Sequence, residues 1–249
     1  MAERDDILLM TATITPAPGT FLLRHVDPAQ RLNDYREALR FYLGELEAGT
    51  FARIIFAENS NSDIAELATL ARDAGLADRV TFVGVAPGPV GQHSRFFLEL
   101  DLLKKAFATA ALASVPGRTM MWKVTGRYIV RNIGAIVRTA PPLDVYVNSR
   151  NHPRKFTDFY LAAFRKDVFA PVLGDRIDDY DTHATGEEIL RHQLDARRGG
   201  PLSIGLRMRH VPTLEGTRGY DQMRYGGLGY RAKSMVRALL NRWVPGLWI

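Results

Sequence analysis

Across the first 150 residues, short apolar runs alternate with amphipathic ones, and this alternation restricts the possible folds more than any other feature of the chain. Ile7 to Thr15, Arg53 to Ala57, Val80 to Val85, Thr119 to Thr125 and Leu143 to Asn148 read as strands, with little polar alternation inside them. Between them, Gln30 to Glu47 repeats apolar residues at helical spacing (Leu32, Tyr35, Leu39, Tyr42, Leu43, Leu46). The spacing predicts further helices from Asp63 to Ala74, Ser94 to Ala113 and Tyr128 to Arg138. A strand reads as continuously apolar when both its faces are covered, and parallel neighbours need crossover helices between them. The expectation is therefore an α/β fold: a mostly parallel central sheet with helices on both faces.

Beyond residue 150 the pattern loosens. Phe156 to Phe164 reads as a sixth strand, Lys166 to Leu173 and Gly186 to Arg197 as helices, and Ala232 to Trp243 as a last helix. Neither a repeat nor a low-complexity linker divides the chain, so one domain spanning 1–249 is the simpler reading. Cysteine is absent, which excludes disulfides, thiol catalysis and thiolate metal sites. The histidines show no zinc-ligand spacing. No signal peptide is visible and no run of about 18 apolar residues occurs, so a cytoplasmic protein is expected. The net charge of +6 calls for an anionic partner, and most of the excess lies beyond Arg197.

In an open α/β sheet, ligands bind beyond the carboxyl ends of the strands. The residues just after each strand are polar and rich in cations: Thr13 to Thr15, Glu58 to Asp63, Pro87 to Arg95, Thr125-Gly126-Arg127 and Ser149 to Lys155. Trp122-Lys-Val-Thr-Gly-Arg-Tyr128 is the most informative stretch. It sets Lys123 and Arg127 where a strand is expected to end and a helix to begin. Glycine permits close backbone approach, a helix start offers free amides, and arginine grips phosphate oxygens in a fork. That combination suits a diphosphate; a plain turn with a solvated arginine is the other reading of the same residues. No P-loop, dinucleotide-binding Gly-x-Gly-x-x-Gly or Gly-x-Ser-x-Gly elbow occurs, which argues against NTPases, nicotinamide dehydrogenases and α/β-hydrolases.

Several local patterns resemble bacterial surface-polysaccharide glycosyltransferases of the GT-A class: Ile-Ile-Phe-Ala-Glu58-Asn59-Ser60, Glu99-Leu-Asp-Leu-Leu-Lys-Lys-Ala-Phe107, Lys123-Val-Thr-Gly-Arg-Tyr128, and the segment Phe156 to Phe169. The resemblance spans roughly residues 7 to 195 and implies a GT-A-like, Rossmann-related single domain. Residues 7–150 would bind a nucleotide-sugar, 151–230 would shape the acceptor site, and 231–249 would form a basic amphipathic tail. It implies transfer of a sugar to a glycan or lipid-linked acceptor in lipopolysaccharide or capsule synthesis. Thr11, Thr13, Glu58, Asn59, Thr125 and Gly126 would line the donor pocket. The chain departs from the class in lacking an Asp-x-Asp metal motif; the strand where it belongs ends in Lys123, Thr125 and Arg127. Cations are therefore expected to replace a divalent metal on the leaving diphosphate, with no cofactor needed. The opposing arrangement has Asp144 or Glu58 binding a metal.

Glu187 and Glu188 open a late helix, the region from which the class usually draws its catalytic base. Glu187 is the first choice; a glutamate pair complementing the helix dipole is the alternative, and Asp178, Asp179 and Asp181 are rivals. His152, in the loop after a strand, is a lesser candidate for ligand contact. Tyr230 to Ile249 mixes cations with Met235, Val236, Leu239, Leu240, Trp243, Leu247 and Trp248, a composition suited to an anionic membrane surface or to docking on the protein's own core. Two other functional classes remain. A nucleic-acid-binding module fits the charge, though no such motif is present, so a nucleic-acid partner is not expected; a nucleotidyltransferase fits the sheet.

Overall fold

The protein is described by a computed structural model over residues 5–182, 185–244 and 247–248; the side chains at positions 228, 231, 233, 238, 241 and 242 fall outside the description. A seven-stranded sheet runs in the order β3 (Val80–Gly84), β2 (Arg53–Glu58), β1 (Ile7–Ala12), β4 (Met120–Thr125), β7 (Phe156–Arg165), β6 (Val145–Arg150) and β8 (Ile204–Gly205). Every neighbouring pair is parallel except the two that involve β7, so β7 alone runs against the rest. The expected mostly parallel sheet is present, and its last strand comes from the less regular second part of the chain.

Both faces are covered, which is why the strands read as unbroken apolar runs. In β1, Ile7 and Leu9 belong to one core layer and Leu8, Met10 and Ala12 to the other. The first layer packs α3 (Arg95–Phe107), α6 (Phe169–Val172) and α7 (Gly186–Ala196) on the sheet. The second packs α1 (Pro28–Glu47), α2 (Ala65–Asp73) and α5 (Ile133–Thr139). Helix α1 starts two residues earlier than expected: Asp27 accepts from the Ala29 amide at 2.9 Å, and Pro28 occupies the first turn, where its missing N–H costs nothing.

Two expected helices are corrected. The run from Ser94 to Ala113 breaks after Phe107 and resumes as the short α4 (Ala110–Ala113), with Thr109 turning its hydroxyl back onto the Ala106 carbonyl at 2.7 Å. The helix expected from Tyr128 does not start there. The chain forms a two-residue strand, β5 (Ile129–Val130), and α5 follows. Strand β5 pairs with β9 (Leu214–Thr217), which pairs with β10 (Arg224–Tyr225), making a small second sheet above the carboxyl edge of the large one. The final helix, α8 (Leu228–Trp243), begins four residues earlier than the sequence suggested. Among the described residues no helix is long and apolar enough to cross a membrane.

Candidate functional site

A cleft of about 1190 Å³ opens along the carboxyl edge of the parallel strands. It slightly exceeds the roughly 300–1,000 Å³ of a typical single-ligand pocket. One wall comes from the ends of β1, β2 and β4 with α1 above them; the other from the end of β6, the start of β7, the N-terminus of α7 and the inner side of α8. Among the described residues, seven arginines line it (Arg31, Arg95, Arg127, Arg150, Arg218, Arg224 and Arg237) against three acids, Glu99, Asp158 and Glu187. The sign of this surface selects an anionic ligand.

The floor is a buried polar cluster built by strand register. Thr11 and Thr125 are direct partners across β1 and β4, and Lys123 lies two residues before Thr125, on the same face. All three point at Glu99 on α3. Its Oε1 accepts from Thr11 at 2.8 Å and from Thr125 at 2.9 Å, and lies 2.6 Å from the Lys123 ammonium. Lys123 also donates to the Phe159 carbonyl at 2.5 Å and sits 4.1 Å from that ring's centre. Its side chain is fully buried, and burial lowers its pKa even with Glu99 alongside. Thr11 and Thr125 line the cleft; Lys123 does not. The expected direct grip of Lys123 on a diphosphate is thus corrected: its charge is engaged below the floor.

Gly126 has a different reason from the one expected. Its amide donates to the Thr11 carbonyl at 2.9 Å, and a Cβ there would stand 2.7 Å from that same oxygen. The close approach is between two strand ends, not between backbone and ligand, and Gly126 is not part of the lining. With β5 in place of a helix, no helix N-terminus faces the cleft at this point. Glu58 is likewise turned inward. It accepts from the amides of Ile14 at 3.2 Å and Ser60 at 2.9 Å and from the Ser60 hydroxyl, fixing the two strand-end loops, and it does not line the cleft.

The remaining candidates of the first wall do reach the cleft. Thr13 donates to Asn59 at 2.6 Å, and both line it. Arg127 is 9% exposed, lies over the Tyr128 ring at 4.5 Å and donates one guanidinium N–H to the Thr217 carbonyl. The small sheet therefore clamps the arginine in place; a Cβ on Gly219 would meet its guanidinium at 2.8 Å. Arg31 was not expected. From α1 it donates to the Thr13 and His25 carbonyls, holding the β1 loop open beside Tyr35, whose hydroxyl accepts from the Thr13 amide at 2.9 Å. The weak sequence signal was two large polar side chains four residues apart on the buried face of α1.

On the second wall, the two glutamates that open α7 separate. Glu187 lines the cleft, while Glu188 faces out, 3.6 Å from Arg154. Burial raises the Glu187 pKa; its own backbone amide and Arg95 oppose this, and Asp158 and Glu99 add to it. Gly186 must be glycine because α7 starts against Phe96: a Cβ would meet that ring at 2.3 Å. Asp158 is committed to Arg150, at 2.9 Å, and to Asn148, at 3.0 Å. The rivals lie elsewhere. Asp181 pairs with His93 at 2.7 Å and Asp179 with Arg176 at 2.8 Å, and neither they nor Asp178 and His152 line the cleft. Asp144 stands before β6, bound to Ser203 and Arg165, which hold its pKa down, and it does not line the cleft. Among the described residues, no three His, Cys, Asp or Glu gather as a metal-holding group.

Fold and cleft together define an α/β protein with an arginine-lined ligand site at the carboxyl edge of a mostly parallel sheet. No family model and no curated protein matches the chain. Among solved structures it is similar to a nucleoside-diphosphate-sugar pyrophosphorylase from Vibrio cholerae RC9, at 10% identity and a TM-score of 0.49, covering 81% of this chain and 91% of that one. It is also similar to the galactosyltransferase LgtC in complex with donor and acceptor sugar analogues, at 12% identity and a TM-score of 0.43, covering 74% and 69%. Neither likeness bears on the chemistry of the site.

Proposed function

We propose that the protein transfers a sugar from a nucleotide-sugar to an acceptor hydroxyl, as in the synthesis of a surface glycan. The observation that carries this reading is the charge of the cleft: among the described residues, seven arginines and three acids line the strand edge where α/β sheets bind ligands. Arg127, clamped by β9 and buried on its other sides, holds the diphosphate, with Thr13 and Asn59 on the nucleotide side. When the anomeric C–O bond breaks, charge develops on the leaving diphosphate, and a fixed guanidinium in a water-poor site stabilises it without reorganising. Two of the three cleft carboxylates are already engaged, Glu99 by Lys123 and two threonines and Asp158 by Arg150 and Asn148. That supports neutralisation by arginine in place of a divalent ion.

Glu187 is the remaining carboxylate. It takes the proton of the acceptor hydroxyl as that oxygen attacks the anomeric carbon, and its burial-raised pKa makes it a stronger base than a solvated glutamate. Lys123 acts through Glu99, holding the Thr11–Thr125 floor. The test is thermal denaturation against nucleoside diphosphates and nucleotide-sugars, with and without manganese and with a chelator. A ligand that binds only the folded state at a hundred times its Kd stabilises by about 2.7 kcal/mol. Stabilisation by a nucleotide-sugar that survives chelation supports the reading. No response to any nucleotide refutes it, and a response that needs manganese refutes the metal-free part.

A further inference from the structure

Helix α8 has two faces with opposite surroundings. Tyr230, Ser234 and Arg237 face inward: Ser234 is buried, and Tyr230 and Arg237 line the cleft. At about 100° per residue, positions 232, 235, 236, 239 and 243 share the opposite arc of about 100°. The large apolar side chains on that arc are open to water: Met235 is 67% exposed, Val236 52%, Leu239 55% and Trp243 73%. Scattered exposed apolar residues are ordinary, but four on one face over the second half of a helix are not. The 16-residue helix carries Arg231, Lys233, Arg237 and Arg242 and no acid. Trp248 does not join this face; it packs on the core layer beneath Arg191 and Arg207, and residues 245, 246 and 249 lie outside the description.

We propose that α8 seats the protein on an anionic bilayer, its outer stripe in the headgroup region and its inner face walling the cleft. The charge decides between occupants. Two copies of a helix that carries cations and no acid repel one another, whereas an anionic surface attracts the helix and receives its apolar stripe. Trp243, at the helix end, suits the polar–apolar boundary of a membrane. Because one helix both lines the cleft and meets the lipid, the acceptor is membrane-anchored and enters from the α8 side. This last step rests on the transferase reading; the seating itself does not.

The test is sedimentation of the full chain with vesicles of mixed phosphatidylglycerol and phosphatidylcholine, against pure phosphatidylcholine. Anionic vesicles should bind at least about tenfold more tightly, and added salt should release the protein. L239E/W243E, on the exposed stripe and away from the cleft, should lose binding by about a hundredfold or more while folding normally by circular dichroism. R231Q/K233Q/R242Q should weaken it on the order of a hundredfold, at about a factor of five per cation. Wild-type protein that stays in solution with anionic vesicles overturns the proposal. So does undiminished binding of L239E/W243E, or a dimer by light scattering that this variant dissociates without any vesicle binding. Nucleotide-induced thermal stabilisation should be unchanged in L239E/W243E. If vesicles bind while no nucleotide stabilises the wild type, the seating stands and the transferase reading falls.

Discussion

Replacing Lys123 by methionine separates two roles that a lysine at this position can have. A lysine that grips substrate at the cleft surface is solvated, and its loss costs the fold about 0–1 kcal/mol. Lys123 is instead fully buried and paired with Glu99 at 2.6 Å. Removing one partner of a buried pair costs about 3–5 kcal/mol, because the other charge is left without compensation. Glu99 is 21% exposed and keeps the Thr11 and Thr125 hydroxyls, so water and those donors soften the loss. The low end, about 3 kcal/mol, is therefore expected. For a chain of this length that corresponds to roughly 6–12 °C in Tm at about 2–4 °C per kcal/mol. The assay is urea and thermal denaturation of Lys123→Met, Glu99→Gln and the double variant. The double variant should recover much of the loss, since it leaves neither charge. Burial lowers the Lys123 pKa, so the unfolded chain binds the proton more tightly than the folded one. Wild-type stability should then gain from this group as pH rises toward the ordinary lysine value and lose the gain as pH falls through the folded value. A Lys123→Met protein within about 1 kcal/mol of wild type, with weakened nucleotide binding, would refute the buried-pair argument and restore the direct grip.

Glu187→Gln should lower turnover by about 10²–10⁴, the usual worth of a general base. It should also raise Tm at neutral pH: burial raises this carboxyl's pKa, so its stabilising share is present below the ordinary carboxylate value and lost as pH rises through the folded value. A Gln variant with full activity, or one less stable at pH 7 than wild type, contradicts the assignment. Arg127→Lys keeps the charge but loses the fork, and single-turnover transfer should fall by about 10²–10³ with nucleoside diphosphate binding weakened; unchanged transfer removes Arg127 from the mechanism. Gly126→Ala forces its Cβ against the Thr11 carbonyl at 2.7 Å and should cost about 1–3 kcal/mol in denaturant unfolding; a neutral result would mean that the β1 and β4 ends are not tied as described.

How much of this was legible depends on whether a residue's surroundings are set locally. Six strands of the large sheet were, because burial on both faces makes most of their residues apolar, and the apolar spacing of Gln30 to Glu47 announced most of α1; β8 was not, since two residues carry no period. The turn after β4 was not. Val130 and Ile129 fit a helix as well as a strand by spacing, and the partner that decides, Leu214–Glu215 of β9, lies more than eighty residues away. The break after Phe107 was equally hidden, since Thr109 is acceptable in either setting.

The candidate site divides along the same line. Placing Thr13, Asn59 and Arg127 beyond the strand ends, and Thr11 and Thr125 within the last two residues of β1 and β4, needed only the direction of the chain, and all five line the cleft. Lys123 shows the limit of that logic and its remedy. It lies inside β4, flanked by Trp122 and Val124, and all four interior positions of that strand, Met121 to Val124, are buried. A lysine there must have an acid within reach, because a buried, unpaired ammonium is not tolerated. The acid comes from α3, the helix that packs on that face, and only Glu99 stands at the level of the strand ends where Thr11 and Thr125 also point. The charges beneath such a cleft shape its floor, and those at its rim meet the ligand. Strand position, more than residue type, separates Lys123 from Arg127.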